Sequence, residues 1–465
     1  MLNETEPGEV HWKYETRTWI RSSPTTSNGT VFVGNSSGQV HAIDLATGQN
    51  RWEATLPNGS VKASPAIDAD RVYAGNNAGY FAALDRASGE EVWSISVDGR
   101  YTLGGLTSSP LVYQQTVYVG MHDGKLYAID ASSGEVQWAF QTGSQIETSP
   151  IAVDGTICIG SGNDLYAISS GDGQEQWVVT EPSEPVRTPS EHDGKLYFTS
   201  KGGTVYAVDG TDGTVEWTNS GYYRLDSTPT VYEDSLYLGL SSGPDGLANI
   251  DTDTGEEQWV SGTGDVFGSP TVAGGTVFFC NELGNIFAVD LDSEEYAWTF
   301  RSESRERMRS SPTVVDGVLY VGSDDGLLYA VDAGIDASSV GSRTEDRSLG
   351  YHTQTKTVAQ QESSTDGQQE PKTANGPSDS TETSGAGGAN SPSSGGQNGG
   401  LSPWAMGAGG STVALMGYLF GKKALDGEST SGESDRESVD EDTMDRDEDT
   451  VNLDEDTLDL EEPDG

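Results

Sequence analysis

Short stretches of alternating residues recur along most of the chain. One of them, SSPTVVDGVLYVGSDDGLLYAVD at 310–332, alternates apolar with small or polar residues and is interrupted at Asp-Gly pairs. Alternation with a period of two is typical of β-strands, and Asp-Gly marks the tight turn of a hairpin. The continuation is clearest in LYAIDASSGEVQW at 126–138, where a Ser-Gly turn leads to a strand that ends in Trp. The pattern predicts four antiparallel strands per unit.

The unit repeats with a period of about 40 residues, which is the range of propellers and solenoids. A Pro that follows Ser or Thr opens the first strand, where the missing N–H is tolerated. This proline occurs at Pro24, Pro65, Pro110, Pro150, Pro189, Pro229, Pro270 and Pro312. The Trp that ends the fourth strand occurs at Trp52, Trp93, Trp138, Trp177, Trp217, Trp259 and Trp298. The eighth unit therefore lacks its fourth strand, and Val340 stands where its Trp should be.

The missing strand is present at the other end of the chain. GEVHW at 8–12 matches GEVQW at 134–138 at all positions but one. We expect this N-terminal strand to complete the eighth sheet and close a ring, which removes free sheet edges. An open solenoid would need terminal caps instead. The predicted fold is all-β: an eight-bladed β-propeller of four-stranded antiparallel blades over residues 8–340.

A sequence motif links the fourth strand to the turn before it. Ala-x-Asp-x-x-Thr/Ser-Gly-x-x-x-Trp stands at 42–52, 83–93 and 128–138, and with substitutions at 167–177 and 207–217. It resembles the tryptophan-docking motif of the pyrroloquinoline-quinone (PQQ) type propellers, which include BamB-like assembly factors and quinoprotein dehydrogenases. The resemblance implies a structural role for Trp12, Trp52, Trp93, Trp138, Trp177, Trp217, Trp259 and Trp298. Because Ser169, Asn249 and Glu294 replace motif residues, we expect less regular docking in blades six to eight.

Charge narrows the choice of partners. The formal net charge is −49, from 74 acidic and 25 basic residues. Nucleic acid is excluded as an expected partner, since binding to phosphate backbones depends on clustered Lys and Arg. Self-repulsion of this size destabilises a compact chain unless salt screens it. The composition resembles that of haloarchaeal proteomes, and we interpret it as adaptation to a salt-rich cell.

The rare cations are concentrated at one predicted face. In this strand order, the loop that enters each blade lies beside the hairpin between second and third strands, around the mouth of the central channel. The residues three positions before each repeat proline are Arg21, Lys62, Thr107, Glu147, Val186, Asp226, Phe267 and Arg309. Three of these are basic, and they belong to blades eight, one and two, which are neighbours once the ring closes.

Further candidates stand in the same loops. They are Trp19, Arg100, Tyr101, Tyr222, Tyr223 and Arg224, with Arg17, Arg301, Arg305 and Arg307 nearby. Arg makes bidentate contacts with carboxylates and phosphates, so one hypothesis is a mouth that binds an anionic small molecule or an acidic peptide. The other is that these arginines are solvated and offset neighbouring acids.

No constellation of catalytic residues is evident. The resemblance to quinoprotein dehydrogenases would imply PQQ held by a channel Trp and a vicinal cysteine pair, with calcium and a catalytic Asp. Cys158 and Cys280 are far apart, and we expect buried free thiols. The five histidines, His11, His41, His122, His192 and His352, show no metal-binding spacing. We therefore predict no catalytic residue, no metal and no resident cofactor.

The remainder of the chain divides into three segments. Residues 341–402 are rich in Ser, Gly, Thr and Pro and predict a disordered linker. Residues 403–421 are uncharged, and Lys422 and Lys423 follow, which indicates a candidate transmembrane segment of near-minimal length. Residues 422–465 predict a disordered acidic tail. By the positive-inside rule the propeller would lie outside the cytoplasm, but residues 1–7 contain no apolar stretch typical of a signal peptide, so a cytoplasmic propeller is the alternative.

The function that this sequence indicates is a non-catalytic binding or scaffolding module. We expect a protein or anionic ligand at the channel mouth and a membrane anchor through residues 403–421. The alternative is a PQQ-dependent dehydrogenase of alcohols or sugars, with calcium.

Overall fold

A computed structural model describes residues 6–96, 108–242 and 246–339. Within them, thirty-two strands form eight four-stranded antiparallel sheets, so the predicted eight-bladed β-propeller is confirmed. The linker, the candidate transmembrane segment and the acidic tail lie outside the described residues, and the boundaries assigned to them stay predictions. Among the described residues, none lies in a helix long and apolar enough to cross a bilayer.

Each blade runs from an inner strand at the channel to an outer strand at the rim. The inner strands are β2 Thr25–Ser27, β6 Ala66–Ile67, β10 Leu111–Tyr113, β14 Ile151–Val153, β18 Ser190–His192, β22 Thr230–Tyr232, β26 Thr271–Ala273 and β30 Thr313–Val315. The second strands are β3 Thr30–Gly34, β7 Arg71–Gly75, β11 Thr116–Gly120, β15 Thr156–Ser161, β19 Lys195–Thr199, β23 Ser235–Leu240, β27 Thr276–Cys280 and β31 Val318–Gly322.

The two outer layers complete the blades. The third strands are β4 Gln39–Asp44, β8 Tyr80–Asp85, β12 Lys125–Asp130, β16 Asp164–Ser169, β20 Val205–Asp209, β24 Gly246–Asp251, β28 Asn285–Asp290 and β32 Leu327–Asp332. The outer strands are β5 Asn50–Thr55, β9 Glu91–Ser96, β13 Val136–Gln141, β17 Glu175–Val179, β21 Val215–Asn219, β25 Glu257–Val260, β29 Tyr296–Arg301 and, for blade eight, β1 Val10–Glu15.

Burial explains the sequence of each layer. The second strands are buried along all of their length, as β31 is, or along all but their first residue, as β7 is, because neighbouring blades cover both faces. They therefore consist of large apolar and small residues without a polar face. The outer strands, such as β13, alternate between exposed and partly buried positions, which is the pattern of a strand with one wet face. The hydrophobic core is thus divided among the interfaces between blades.

The N-terminal strand closes the ring as predicted. β1 pairs with β32 in antiparallel register, with Trp12 opposite Ala330. The backbone N–H of Gly8 donates to the carbonyl of Asp332 at 2.9 Å, and the N–H of Asp332 donates to the carbonyl of Glu9 at 2.8 Å. Blade eight is therefore built from both ends of the propeller sequence.

Each docking tryptophan joins its blade to the next one. The Trp12 indole N–H donates to the carbonyl of Leu45 at 3.0 Å, and the ring lies beside Tyr320 and against Gly48. Equivalent bonds join Trp52 to Arg86, Trp93 to Ala131, Trp138 to Ser170, Trp217 to Thr252 and Trp298 to Ala333. These tryptophans have a structural role, because each of these bonds connects two neighbouring blades.

The expectation of irregular docking in later blades is wrong for two of them. Trp298 of blade seven and Trp12 of blade eight both make the bond at 3.0 Å. Glu294, which replaces the motif glycine, adopts a positive φ of 57° and so keeps the shape of the turn. For Trp259 of blade six only packing is described, in a cluster with Leu291 of blade seven. In blade four, the buried indole N–H of Trp177 has no partner in the described part of the chain.

A belt of hydrogen bonds crosses the blade boundaries at the hub. At seven of the eight blade boundaries, the residue before the repeat proline donates its backbone N–H to the side-chain oxygen of the equivalent residue in the next blade. The bonds described are Ser23 to Ser64, Ser64 to Ser109, Ser109 to Ser149, Ser149 to Thr188, Thr228 to Ser269, Ser269 to Ser311, and Ser311 to Ser23. The last bond joins blade eight to blade one, so the ring is closed at its hub as well as at its rim.

Candidate binding face at the channel mouth

Two sets of loops meet around one mouth of the channel. The loop that enters each blade contacts the hairpin between the second and third strands of the preceding blade. The N–H of Met308, in the loop entering blade eight, donates to the carbonyl of Asn281 on the hairpin of blade seven at 3.3 Å, and the N–H of Ile20, in the loop entering blade one, donates to the carbonyl of Ser323 on the hairpin of blade eight at 3.1 Å. These main-chain bonds fix the loops, so the side chains on them project from a rigid support.

The first predicted cation, Arg21, is held by two contacts. Its Nε and Nη2 donate to the two carboxylate oxygens of Asp324 at 3.1 and 3.2 Å, which is a bidentate pair. The guanidinium also stacks on Trp19, with 4.4 Å between the guanidinium carbon and the ring centroid. Asp324 lies on the hairpin of blade eight, so this pair bridges the boundary between the last blade and the first.

Arg309 repeats this arrangement one blade earlier. Its Nη2 donates to Glu282 on the hairpin of blade seven at 3.1 Å, and its guanidinium lies 5.3 Å from the ring centroid of Phe267. Arg307 shares the same carboxylate at 3.6 Å. Each arginine therefore pairs with an acid of the preceding blade and lies over an aromatic ring.

The third predicted cation differs from these two. Lys62 of blade two is half-buried and forms no ion pair within the described ranges. The structure thus places Arg309, Arg21 and Lys62 at equivalent positions in three adjacent blades, as the repeat register requires. Arg100 and Tyr101 lie outside the described residues. Ligand binding by the three cations stays a prediction.

The three candidate residues in the loop that enters blade six differ in exposure and in their contacts. Tyr222 is buried, and its hydroxyl donates to Glu257 at 2.9 Å; burial and that carboxylate raise the pKa of the Tyr222 phenol. Tyr223 is 75% exposed. The Arg224 Nε donates to Asp226 at 2.6 Å. Only Tyr223 of this group is a freely presented surface side chain.

One ion pair at the mouth was missed by sequence reasoning. Arg187 occupies a position where most blades carry Ser or Thr, and it donates to Asp226 of the next blade. Burial opposes ionisation of Asp226, but Arg187 and Arg224 outweigh it and lower the pKa of the carboxyl. The replacement of Ser or Thr by Arg at this repeat position was the available signal.

Exposed apolar groups are unevenly distributed over this face. Trp19 is 38% exposed, Tyr223 is 75% exposed and Leu283 is 56% exposed. They lie in loops that belong to blades one, six and seven, in the same part of the ring as Arg21 and Arg309. We call Trp19, Arg21, Tyr223, Leu283 and Arg309 together the mouth arc. The other large exposed apolar side chains of the described ranges lie on outer strands, at Val92, Val136, Val178 and Tyr296.

The described residues do not fit the quinone site of the dehydrogenases. Cys158 and Cys280 are free, fully buried and located in blades four and seven, as expected for inert thiols. Burial raises the pKa of Cys158 to about 12 and raises the pKa of Cys280 as well. Within the described ranges, no three His, Cys, Asp or Glu side chains are grouped as metal ligands. The vicinal thiols and calcium ligands implied by the dehydrogenases have no counterpart there.

The ring of docked blades and the loops at its mouth define a quinoprotein-like propeller. A family model described as outer membrane protein assembly factor BamB matches residues 2–219 and 154–339. The chain belongs to this family. The comparison with curated proteins gives no match.

Solved structures show the same fold at low identity. BamB from Moraxella catarrhalis is 19% identical, with 70% of this chain and 97% of that one covered at a TM-score of 0.56. Quinohemoprotein alcohol dehydrogenase from Comamonas testosteroni is 16% identical, with 71% and 77% covered at 0.57. Sqt1 from Saccharomyces cerevisiae is 11% identical, with 71% and 99% covered at 0.60. An assembly factor and a dehydrogenase thus share the fold, which does not choose between binding and catalysis.

Proposed function

We propose that this propeller is a non-catalytic module that binds a protein partner through the mouth arc. The observation that carries the proposal is the composition of that arc: Trp19 and Tyr223 are exposed beside arginines held in fixed positions. Trp, Tyr and Arg are the residues that most often carry binding energy in protein interfaces. The arginines add selectivity for a partner with an acidic edge, since their guanidinium groups can bind carboxylates.

The stack of Arg21 on Trp19 is the central contact of this proposal. Its Asp324 pair fixes the guanidinium, so little side-chain entropy remains to be lost on binding. The indole face turned away from Arg21 supplies apolar area, and the Arg supplies polar contacts at its edge. Arg309 over Phe267 is a second example of the same arrangement, with an aromatic ring that is less exposed than Trp19.

The experiment compares the arc with the rim. The immobilised full chain is exposed to an extract of its own cells at matched salt, and retained proteins are quantified. Trp19→Ser combined with Tyr223→Ser should reduce retention of the bound protein at least about tenfold. Val136→Ser combined with Tyr296→Ser removes apolar groups of similar exposure on outer strands and should leave retention unchanged. Equal retention by both double variants would contradict the proposal.

The dehydrogenase alternative is tested on the same material. The full chain is supplied with PQQ and calcium, and quinone absorbance and dye reduction are recorded with alcohols and sugars. We expect neither a shifted quinone spectrum nor turnover, because the described residues lack the ligands for the cofactor. Turnover would replace the binding proposal by an enzymatic one.

We also propose that residues 403–421 anchor the chain in a membrane with the propeller on the extracytoplasmic side. The supporting features are the uncharged stretch and the two lysines that follow it. Sedimentation of the full chain with membranes, compared with a chain lacking 403–421, tests the anchor. Protease added to intact cells should digest the propeller loops, whereas digestion of residues 422–465 alone would place the propeller in the cytoplasm.

A further inference from the structure

A recurring main-chain bond aligns the loops at the mouth with the hairpins of the preceding blades. In five entering loops, the N–H four positions before the repeat proline donates to a hairpin carbonyl. These bonds run from Ile20 to Ser323, Val61 to Asn35, Ile146 to Met121, Val266 to Leu240 and Met308 to Asn281, at 2.9–3.3 Å. Each bond brings the next residue of the loop, the entry residue, level with the next residue of the hairpin, the hairpin residue.

The alignment shows which entry residues have an ionisable side chain level with them. The pairs, with the entry residue first, are Arg21 and Asp324, Arg309 and Glu282, Glu147 and His122, Phe267 and Ser241, and Lys62 and Ser36. In the first two pairs, the arginine forms an ion pair with the carboxylate of the hairpin residue. Lys62 is the one charged entry residue of these five whose hairpin residue has no ionisable side chain.

Lys62 is therefore a half-buried cation without a compensating acid. It forms no hydrogen bond and no ion pair with any residue that the structure describes. Partial removal of an ammonium group from water without a partner is unfavourable. In a chain with 74 acidic and 25 basic residues, Arg21 and Arg309 are both paired with acids. At the boundary between blades one and two, the hydroxyl of Ser36 stands where those boundaries have a carboxylate.

The main chain holds the surroundings of Lys62, and they include an exposed indole. The N–H of Ser36 donates to the carbonyl of Trp19 at 3.0 Å, and the Ser60 hydroxyl donates to the carbonyl of Ser36 at 2.8 Å. The hairpin of blade one is thus fixed between the loops that enter blades one and two. Because Trp19 is 38% exposed, the mouth presents an apolar surface on one side of this hairpin and the cation on the other.

We propose that the mouth has a carboxylate-binding site at the boundary between blades one and two, with Lys62 as the cation and the Ser36 hydroxyl as a hydrogen-bond donor. The ligand is an Asp or Glu side chain of the protein partner, next to an apolar residue that packs on Trp19. The partner supplies to Lys62 the acid that Arg21 and Arg309 receive from hairpins of this chain. The inference rests on the proposed function, because it assigns a chemical feature to the partner of the mouth arc.

Thermal unfolding tests the alignment of Ser36 with Lys62 without a partner. Ser36→Asp introduces the acid that blade eight has at this place, and we expect a higher melting temperature at a fixed salt concentration. Combining it with Lys62→Gln should remove that gain. Ser220→Asp makes the same replacement at an exposed position of the loop that enters blade six and should leave the melting temperature unchanged or lower it. Equal shifts in the two Asp variants would overturn the proposal.

Synthetic peptides test the ligand chemistry. The probes are short peptides of Gly and Ser that contain one Trp, Phe or Leu beside one Glu, and a matched set with Gln in place of Glu. The immobilised full chain should retain the Glu set at least about fivefold better than the Gln set, because Lys62 is the available cation. Lys62→Gln and Ser36→Asp should abolish this preference, and Ser220→Asp should keep it. Equal retention of the two sets by the wild type would overturn the proposal.

Capture from the cell extract separates this inference from the proposed function. If Lys62→Gln retains the partner as the wild type does, while Trp19→Ser combined with Tyr223→Ser loses it, the carboxylate site is overturned and the binding proposal stands. If Lys62→Gln loses the partner and the double variant keeps it, the carboxylate site stands and binding through the mouth arc is contradicted.

Discussion

The docking interfaces between blades and the mouth arc use the same residue types in opposite ways. At the interfaces a Trp recurs in every blade, packs on a turn of the next blade and, in most blades, donates its N–H to a carbonyl there. At the mouth, Trp19 and Tyr223 occur once each and are exposed. Positions that repeat hold the ring together, whereas positions that break the repeat differ in charge and exposure. Under the proposed function, the repeating positions provide stability and the non-repeating positions at the mouth provide recognition.

The largest effect should come from removing one docking Trp. Trp12→Ala deletes the contact that seals blade eight against blade one and should lower the free energy of unfolding by about 3 kcal/mol, as for a largely buried Trp. Trp19→Ala removes the same side chain from the mouth, where it is 38% exposed and stacks on Arg21, and should cost only about 1 kcal/mol. Denaturant titrations at one fixed salt concentration measure both. Similar losses in the two variants would erase the distinction between interface and mouth.

A glycine pair isolates the packing part of that contact. Gly48 and Gly275 both have positive φ, 68° and 75°. A Cβ at Gly48 would lie 2.6 Å from the Trp12 ring, whereas nothing lies within 4 Å of a Cβ at Gly275. Both Ala variants suffer about 1–2 kcal/mol of backbone strain, and Gly48→Ala should lose roughly 1–3 kcal/mol more from the clash. Thermal unfolding would show the difference, and equal melting temperatures would mean that Trp12 is free to move.

A smaller effect concerns the aspartates that open the docking turns. The Asp130 carboxylate accepts bonds from the Ser132 hydroxyl at 2.6 Å and the Ser133 N–H at 2.8 Å, and these bonds lower the pKa of Asp130 to about 2. A lowered pKa means that the stabilisation is complete above about pH 4 and is lost as the pH falls through 2. Asp130→Ala should therefore melt below the wild type at pH 7, with the gap closing toward pH 2. A gap independent of pH would assign the effect to packing instead of charge.

The smallest effect on stability is expected at the mouth. Tyr223→Ser removes a side chain that is 75% exposed and should shift the free energy of unfolding by no more than about 0.5 kcal/mol. Its neighbour Tyr222 is buried against Glu257, so Tyr222→Phe should cost more through the lost hydrogen bond. Denaturant titrations of the two variants measure the free energy of unfolding and test whether the buried tyrosine contributes more to it than the exposed one.

The fold could be predicted because its determinants are local and repeat. The short match of residues 8–12 to 134–138 was enough to assign the N-terminal strand to the eighth sheet, and the structure adds the register, with Trp12 opposite Ala330. The hub belt was not predicted, although its signal, a Ser or Thr before every repeat proline, was visible. Sequence spacing gives the layer of a residue but not its partner in another blade.

The mouth was predicted only in part for the same physical reason. The repeat register brought Arg21 and Arg309 to equivalent positions, but it said nothing of Asp324 and Glu282, which lie on hairpins of the preceding blades. Pairing with these acids reduces the positive charge offered to a ligand. The expected basic mouth is therefore a set of oriented arginines instead of a free cationic patch.

The pairing of β1 with β32 also has a consequence for biosynthesis. β1 leaves the ribosome first, yet its partner strand emerges more than three hundred residues later. At about 5–20 residues per second, the first strand waits roughly 15–60 s for the sheet that it completes. During that interval blade one lacks the indole that covers its turn, and the nascent chain carries an unpaired strand prone to misassociation. We therefore expect ring closure to make the protein depend on chaperones during synthesis, more than it limits the stability of the folded protein.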